Sequence, residues 1–233
     1  MFLPTKQLMW KQMIEQGFEN QWGLEDCIVV ADGSGSMYTK VSGSTSVMAI
    51  EVCNSLAIYF AEQLKGIFHN KAITFSGRPQ FIELDKGKNL KEKLEIMLAH
   101  NEVANTNIEA VFDMLLDIAV KNHILAEELP KQVLIISDME FDCCADDASV
   151  TNFEYAKKLY EKAGYKLPNV IFWNVNGLNR QQPVTKNEQG VILVSGCTPR
   201  LFSMIAGGSV SDITPYQFML EVLESERYEK IVA

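Results

Sequence analysis

No run of the 233 residues approaches the roughly 20 consecutive apolar positions that span a bilayer. The N-terminus also lacks a basic stretch followed by an apolar one, so neither a membrane span nor a secretory signal is expected. Clusters of positive charge are equally scarce. Lys and Arg number 21 against 30 Asp and Glu, a formal net charge of -9, and the basic residues stand singly or in pairs such as Lys157-Lys158. Neutralising phosphates takes clustered cations, so nucleic acid and anionic lipid are not expected partners. The three histidines, His69, His100 and His123, are isolated, and the five cysteines, at 27, 53, 143, 144 and 197, contain no CxxC. Zinc sites want paired ligands at short spacing, which excludes the usual pattern. An odd cysteine count with an adjacent pair, Cys143-Cys144, does not suit a disulfide framework, so reduced thiols in a cytoplasm are expected.

Several enzyme signatures are missing as well. Asp32-Gly-Ser34-Gly-Ser36 lacks the first glycine of Gly-x-Ser-x-Gly, no Gly-Lys-Ser/Thr ends a phosphate loop, and Gly33-Ser-Gly35-Ser-Met-Tyr38 misses the third glycine of a dinucleotide loop.

What the chain has is length and hydrophobicity, 47% of its residues, enough for one large α/β domain with a sizeable core. Residues 5–17 carry Leu8, Met9, Met13 and Ile14 at helical spacing and end at Gly17, which predicts a helical extension over 1–22 ahead of a domain over 23–233. From Cys27 onward, apolar strand-like runs at 27–31, 71–75, 80–84, 132–137, 170–174 and 191–194 alternate with helical patterns at 45–65, 88–98, 106–120, 152–163, 198–206 and 215–226. That alternation predicts an α/β fold, a doubly wound, mostly parallel six-stranded sheet with helices on both faces. Val133–Ile136 and Val170–Trp173 are continuously apolar, as central strands are. The run Ser76-Gly-Arg-Pro79 between two short strands predicts a hairpin and hence one antiparallel edge strand. In the first helix Val47, Ile50, Cys53, Ala57, Phe60 and Leu64 form a core-facing stripe, repeated in 106–120 by Ile108, Val111, Phe112, Leu115 and Ile118.

Three segments carry the chemistry. The strand ending at Asp32 breaks into Asp-Gly-Ser-Gly-Ser, delivering one carboxylate and two hydroxyls where a sheet turns toward a helix. Asn105-Thr106-Asn107 and Ser137-Asp138 supply further oxygens from later turns. In open α/β sheets ligands bind beyond the carboxyl ends of the strands. A hard cation such as Mg2+ wants about six oxygens, some of them water.

Asp32-x-Ser34-x-Ser36, Thr106 at the start of an apolar helix and Asp138 at the end of a hydrophobic strand resemble the metal-ion-dependent adhesion site (MIDAS) of von Willebrand factor type A domains. The resemblance covers about residues 24–208. It implies that Ser34, Ser36 and Thr106 offer hydroxyls to Mg2+ (or Mn2+ or Ca2+), and that Asp32 and Asp138 hold the ion directly or through water. It further implies that a partner protein completes the shell with an acidic side chain. The run Ser137-Asp-Met-Glu-Phe-Asp142 is similar to intracellular branches of that family, including the A domain of Ro-type proteins. Many members have glycine where this chain has Met139.

Acidic residues Glu140, Asp142, Asp146 and Asp147 crowd the same loop, where a solvated acidic segment is the simpler reading. A non-catalytic, metal-dependent binding module is therefore expected. The alternative is a Mg2+-dependent phosphoryl-transfer or hydrolytic enzyme using Asp32 and Asp138. Such an enzyme would want a phosphate-clamping base near Asp32, and the nearest is Lys40.

Overall fold

The computed structural model describes residues 9, 11, 27–41, 46–64, 66–85, 87–101, 107–139, 148–176, 191–197, 216, 219, 220 and 223. Six strands form one sheet: β1 Cys27–Asp32, β2 Lys71–Phe75, β3 Phe81–Glu83, β4 Gln132–Ser137, β5 Asn169–Asn174 and β6 Val191–Ser195, in spatial order β3-β2-β1-β4-β5-β6. Every neighbouring pair is parallel except β2 with β3, where Lys71 faces Glu83 and Ile73 faces Phe81. The hairpin read from Ser-Gly-Arg-Pro is thus the antiparallel edge. Thr74 Oγ1 holds it by accepting from Gln80 N at 2.7 Å.

Among the described residues, four α-helices with both ends defined flank the sheet: α1 Ala49–Gln63, α2 Leu90–Ala99, α3 Ile108–Lys121 and α4 Ala148–Lys162. Helices cover both sides of the sheet, with α1 packed on α2 and α3 on α4. Every residue of β1 is buried, and β4 is buried from Val133 onward, which is why their sequences run apolar without alternation. Phe60 of α1 meets Trp173 of β5 edge to face at 6.3 Å, and Phe112 of α3 meets Tyr160 of α4 at 6.4 Å. Such pairs add directional packing to area burial. Asn89 caps α2 by accepting from Glu92 N, and Glu92 reciprocates by accepting from Asn89 N at 2.7 Å, a capping box.

One expectation is corrected. Val47 does not belong to the core stripe of the first helix: it is 41% exposed and precedes α1. Its carbonyl accepts from Val41 N at 3.0 Å, beside an isolated antiparallel bridge between Lys40 and Met48. Backbone pairing therefore claims residues that periodicity assigned to a helix. Of the predicted N-terminal helix only Met9 and Lys11 are described, both helical. The pattern at 198–206 lies outside the described residues, and within 215–226 Tyr216, Met219, Leu220 and Leu223 are helical.

Candidate metal centre

Three parallel strands change character at one level. Asp32 ends β1 one step after the Ala31–Ile136 pair, Ser137 ends β4, and Asn174 ends β5 opposite Ser137. Apolar residues thus give way to a polar row along the carboxyl edge, at the point where the chain leaves β1 to one side for β2 and returns to the other for β4. That crevice is the ligand position of open α/β sheets.

Asp32 is fully buried and its carboxylate is held from two directions. Oδ1 accepts from Ser34 N at 2.8 Å, a tight turn that brings the serines round, and Oδ2 accepts from Ser137 Oγ at 2.5 Å. The 3-10 turn Gly35–Tyr38 follows. It sets Ser34 Oγ 3.1 Å from Ser36 Oγ, and Ser36 Oγ donates to Asp138 Oδ1 at 3.1 Å. Four of the five expected ligands, Asp32, Ser34, Ser36 and Asp138, are therefore brought together. Thr106 lies outside the described residues, immediately before Asn107, which caps α3 by accepting from Ala110 N at 3.2 Å. The acids Glu140, Asp142, Asp146 and Asp147 and the pair Cys143-Cys144 also lie outside them.

These oxygens fit a small hard cation. Ligands at about 2.1 Å around an octahedral ion are about 3.0 Å apart along an edge. The Ser34–Ser36 and Ser36–Asp138 spacings, both 3.1 Å, are close to that value. Electrostatics agree: burial holds the Asp32 carboxyl above the ordinary carboxylate range and the Asp138 charge adds to the effect, against hydrogen bonds from Ser137 and Ser34. A cation between the two acids would remove both penalties. Among the described residues no group of three or more His, Cys, Asp or Glu gathers as metal ligands, so a cation here would have to draw further donors from the hydroxyls.

Residues not among the predicted ligands support the loop. Ser137 Oγ, besides donating to Asp32, accepts from Met139 N at 3.0 Å. Met139 is buried with φ +61, a left-handed conformation that costs an L-residue about 1–2 kcal/mol. Asn176 Nδ2 donates to Thr39 Oγ1 at 3.0 Å, tying the segment after β5 to the end of the 3-10 turn. Asn101, just past α2, presses on Gly33: a Cβ built there would sit 2.9 Å from Asn101 Oδ1 and 3.0 Å from its Cα. Ser137 stood in plain view at the end of a strand, whereas Asn101 and Asn176 carry no local signal. Beneath the site Cys53 donates to Ile136 O at 3.3 Å. Burial pushes its thiol well above the ordinary range, as it pushes Cys27 to about 12, so both are packing groups.

Residues 26–229 match the family described as "Domain of unknown function (DUF7788)". Uncharacterized protein L728 of Acanthamoeba polyphaga mimivirus is 31% identical over 214 residues, covering 90% of this chain and 37% of that protein. The chain thus spans little more than a third of that relative's length. Among solved structures, the Ro (RSR) protein of Deinococcus radiodurans superposes with a TM-score of 0.55 at 13% identity, over 81% of this chain and 36% of that one. Proximal thread matrix protein 1 of the mussel byssus, with a zinc-occupied MIDAS motif, gives 0.41 at 16% identity over 78% of this chain and 45% of that one. By the extent of the first match the chain belongs to the DUF7788 family, on a fold like that of von Willebrand factor A domains.

Proposed function

We propose that this chain is a non-catalytic, metal-dependent protein-binding module. A divalent ion of the Mg2+ class is held by Asp32, Ser34, Ser36, Thr106 and Asp138, and an acidic side chain of a partner protein completes its shell. The observation that carries this reading is the oxygen chain Ser34–Ser36–Asp138 at 3.1 Å intervals beside the buried Asp32 carboxylate. When bound, the ion supplies a positive centre for an anionic oxygen. The chain's own residues do the rest. Ser137 and Ser34 N fix Asp32, the 3-10 turn presents both hydroxyls on one side, and Ser36 keeps Asp138 facing them. With two carboxylates in the set, each contributing one charge, water-mediated contact leaves the ion with positive character toward a partner's carboxylate.

The test begins with thermal unfolding in Mg2+ and in EDTA. At about a hundredfold over its dissociation constant an ion stabilises by roughly 2.7 kcal/mol, or about 5–11 °C for a chain of this size. That shift is expected in the parent and not in Asp32→Ala. A peptide array then reads the partner: binding that needs Mg2+ and fails when Glu or Asp is replaced by Gln or Asn supports the module. Mg2+-dependent turnover of a phosphate ester that is lost in Asp32→Asn would overturn it in favour of catalysis.

A further inference from the structure

Asn101 is half-buried at the exit of α2, five residues before Thr106, with its N–H donating to Leu98 O at 3.3 Å. Two facts set it apart. Its side-chain oxygen, Cα and Cβ all lie within 3.1 Å of the point where a Cβ on Gly33 would stand, so Asn101 rests directly on the Asp32–Ser34 turn. Its Nδ2 is buried and has no hydrogen-bond partner among the described residues. A buried amide N–H without an acceptor is costly, and each case in a folded protein calls for a physical reason.

The neighbourhood supplies one. Gly33 is the residue between Asp32 and Ser34, at the centre of the turn closed by the Ser34 N to Asp32 Oδ1 bond. Oxygens dominate this region: two carboxylates, three serine hydroxyls and, in a loaded site, the waters of a hydrated ion. A donor left unpaired on the residue that touches this turn has an acceptor to gain in the loaded site that the empty one does not offer. We propose that Asn101 is a positioning residue of the metal centre: it seats the Asp32–Ser34 turn through its contact with Gly33 and gives from Nδ2 a hydrogen bond to the oxygen shell of the bound ion. This rests on the metal reading above. Gly33 is accordingly glycine because Asn101 needs the space.

Outer-shell partners of metal ligands change affinity by about 10- to 100-fold when removed. Asn101→Leu keeps a branched side chain of similar shape against Gly33 and deletes the donor. In EDTA its melting temperature is expected to equal or exceed that of the parent, because an unsatisfied polar atom is gone. Its Mg2+ dissociation constant, by calorimetry, is expected to rise at least tenfold. Gly33→Ala, which forces Asn101 away, is expected to weaken Mg2+ as well. A purely structural residue would lower the EDTA melting temperature and leave the affinity of the folded fraction alone. Asn101→Leu binding Mg2+ within twofold of the parent would overturn the role while leaving the metal centre intact. A parent that takes up no Mg2+ would overturn the metal centre and this role together.

Discussion

Ser137 Oγ donates to Asp32 Oδ2 at 2.5 Å, joining the last residues of two neighbouring parallel strands that are 105 positions apart in the chain. The same oxygen accepts from Met139 N at 3.0 Å, so one hydroxyl sets both the carboxylate of the first loop and the backbone of the third. Asp32 is held rigid before any ligand arrives.

That rigidity has a cost that depends on pH. Burial raises the Asp32 carboxyl above its ordinary value, with the nearby Asp138 charge adding to the rise. The folded pKa therefore exceeds the unfolded one of about 3.9. Below the unfolded value both states are protonated and there is no penalty. As pH climbs through the interval between the two values the unfolded chain releases its proton first, and stability falls until the folded pKa is passed. In EDTA the parent bears this penalty at every pH above the unfolded value, in full once the folded pKa is passed. Asp32→Asn keeps an oxygen for Ser34 N and offers an N–H to Ser137, so it is expected to melt a few degrees higher than the parent in EDTA at pH 7. The advantage should vanish near pH 4, and with saturating Mg2+ the order should reverse. Melting curves across pH with and without metal check all three.

Ser36 is the middle of the oxygen chain. Ser36→Ala is expected to weaken Mg2+ at least tenfold while costing the metal-free fold about 1 kcal/mol, the usual worth of one hydrogen bond. In the parent, Mn2+ should replace Mg2+ readily. Ca2+, whose longer bonds of about 2.4 Å spread adjacent ligands to about 3.4 Å, should bind more weakly. Calorimetric titration with the three ions reads the order.

Away from the site, Lys93 of α2 reaches Glu62 of α1 at 2.8 Å, with side-chain exposures of 5% and 15%. Its ammonium also stands 3.5 Å from Asn70 Oδ1, where the chain turns into β2. Removing one member of a buried pair leaves the other charge uncompensated and costs about 3–5 kcal/mol. Lys93→Met should fall in or just below that range by urea unfolding, and adding Glu62→Gln should restore part of the loss.

Met139 fills the position where the resembling family often has glycine, and its φ of +61 is the conformation glycine tolerates. Met139→Gly relieves about 1–2 kcal/mol of backbone cost but deletes a buried side chain worth about 2–5 kcal/mol. Net destabilisation of about 1–3 kcal/mol is expected. A gain in denaturant midpoint would show that the side chain contributes little packing.

Much of this architecture was legible in the residues. Val133–Ile136 and Val170–Trp173 could be nothing but strands covered on both faces, and the Asp-Gly-Ser-Gly-Ser break marked where β1 gives out. What escaped were features with no local period. Val47 fits a helical stripe by spacing, yet its carbonyl is taken by Val41 N. The segment from 148, polar at its start, enters α4 four residues before the expected 152. Asn101 and Asn176 are single asparagines whose meaning comes from Gly33 and Thr39, residues 68 and 137 positions away, and no pattern within a short window encodes such a meeting. Left-handed Met139 escaped because a methionine gives no sign of a positive φ, and only the glycine common at this place in the resembling family hinted at one.

The sheet order also shapes how the chain emerges during synthesis. Ser36 and Asp138 are 102 residues apart, a separation that takes about 5–20 s to translate at roughly 5–20 residues per second. In that interval β1 can pair with β2 on one side, while its other edge, apolar from Cys27 to Ala31, waits for β4. An open apolar strand edge invites foreign pairing. The nascent chain passes through this interval without help from a cation, because Asp138, which would help to hold one, has yet to be made.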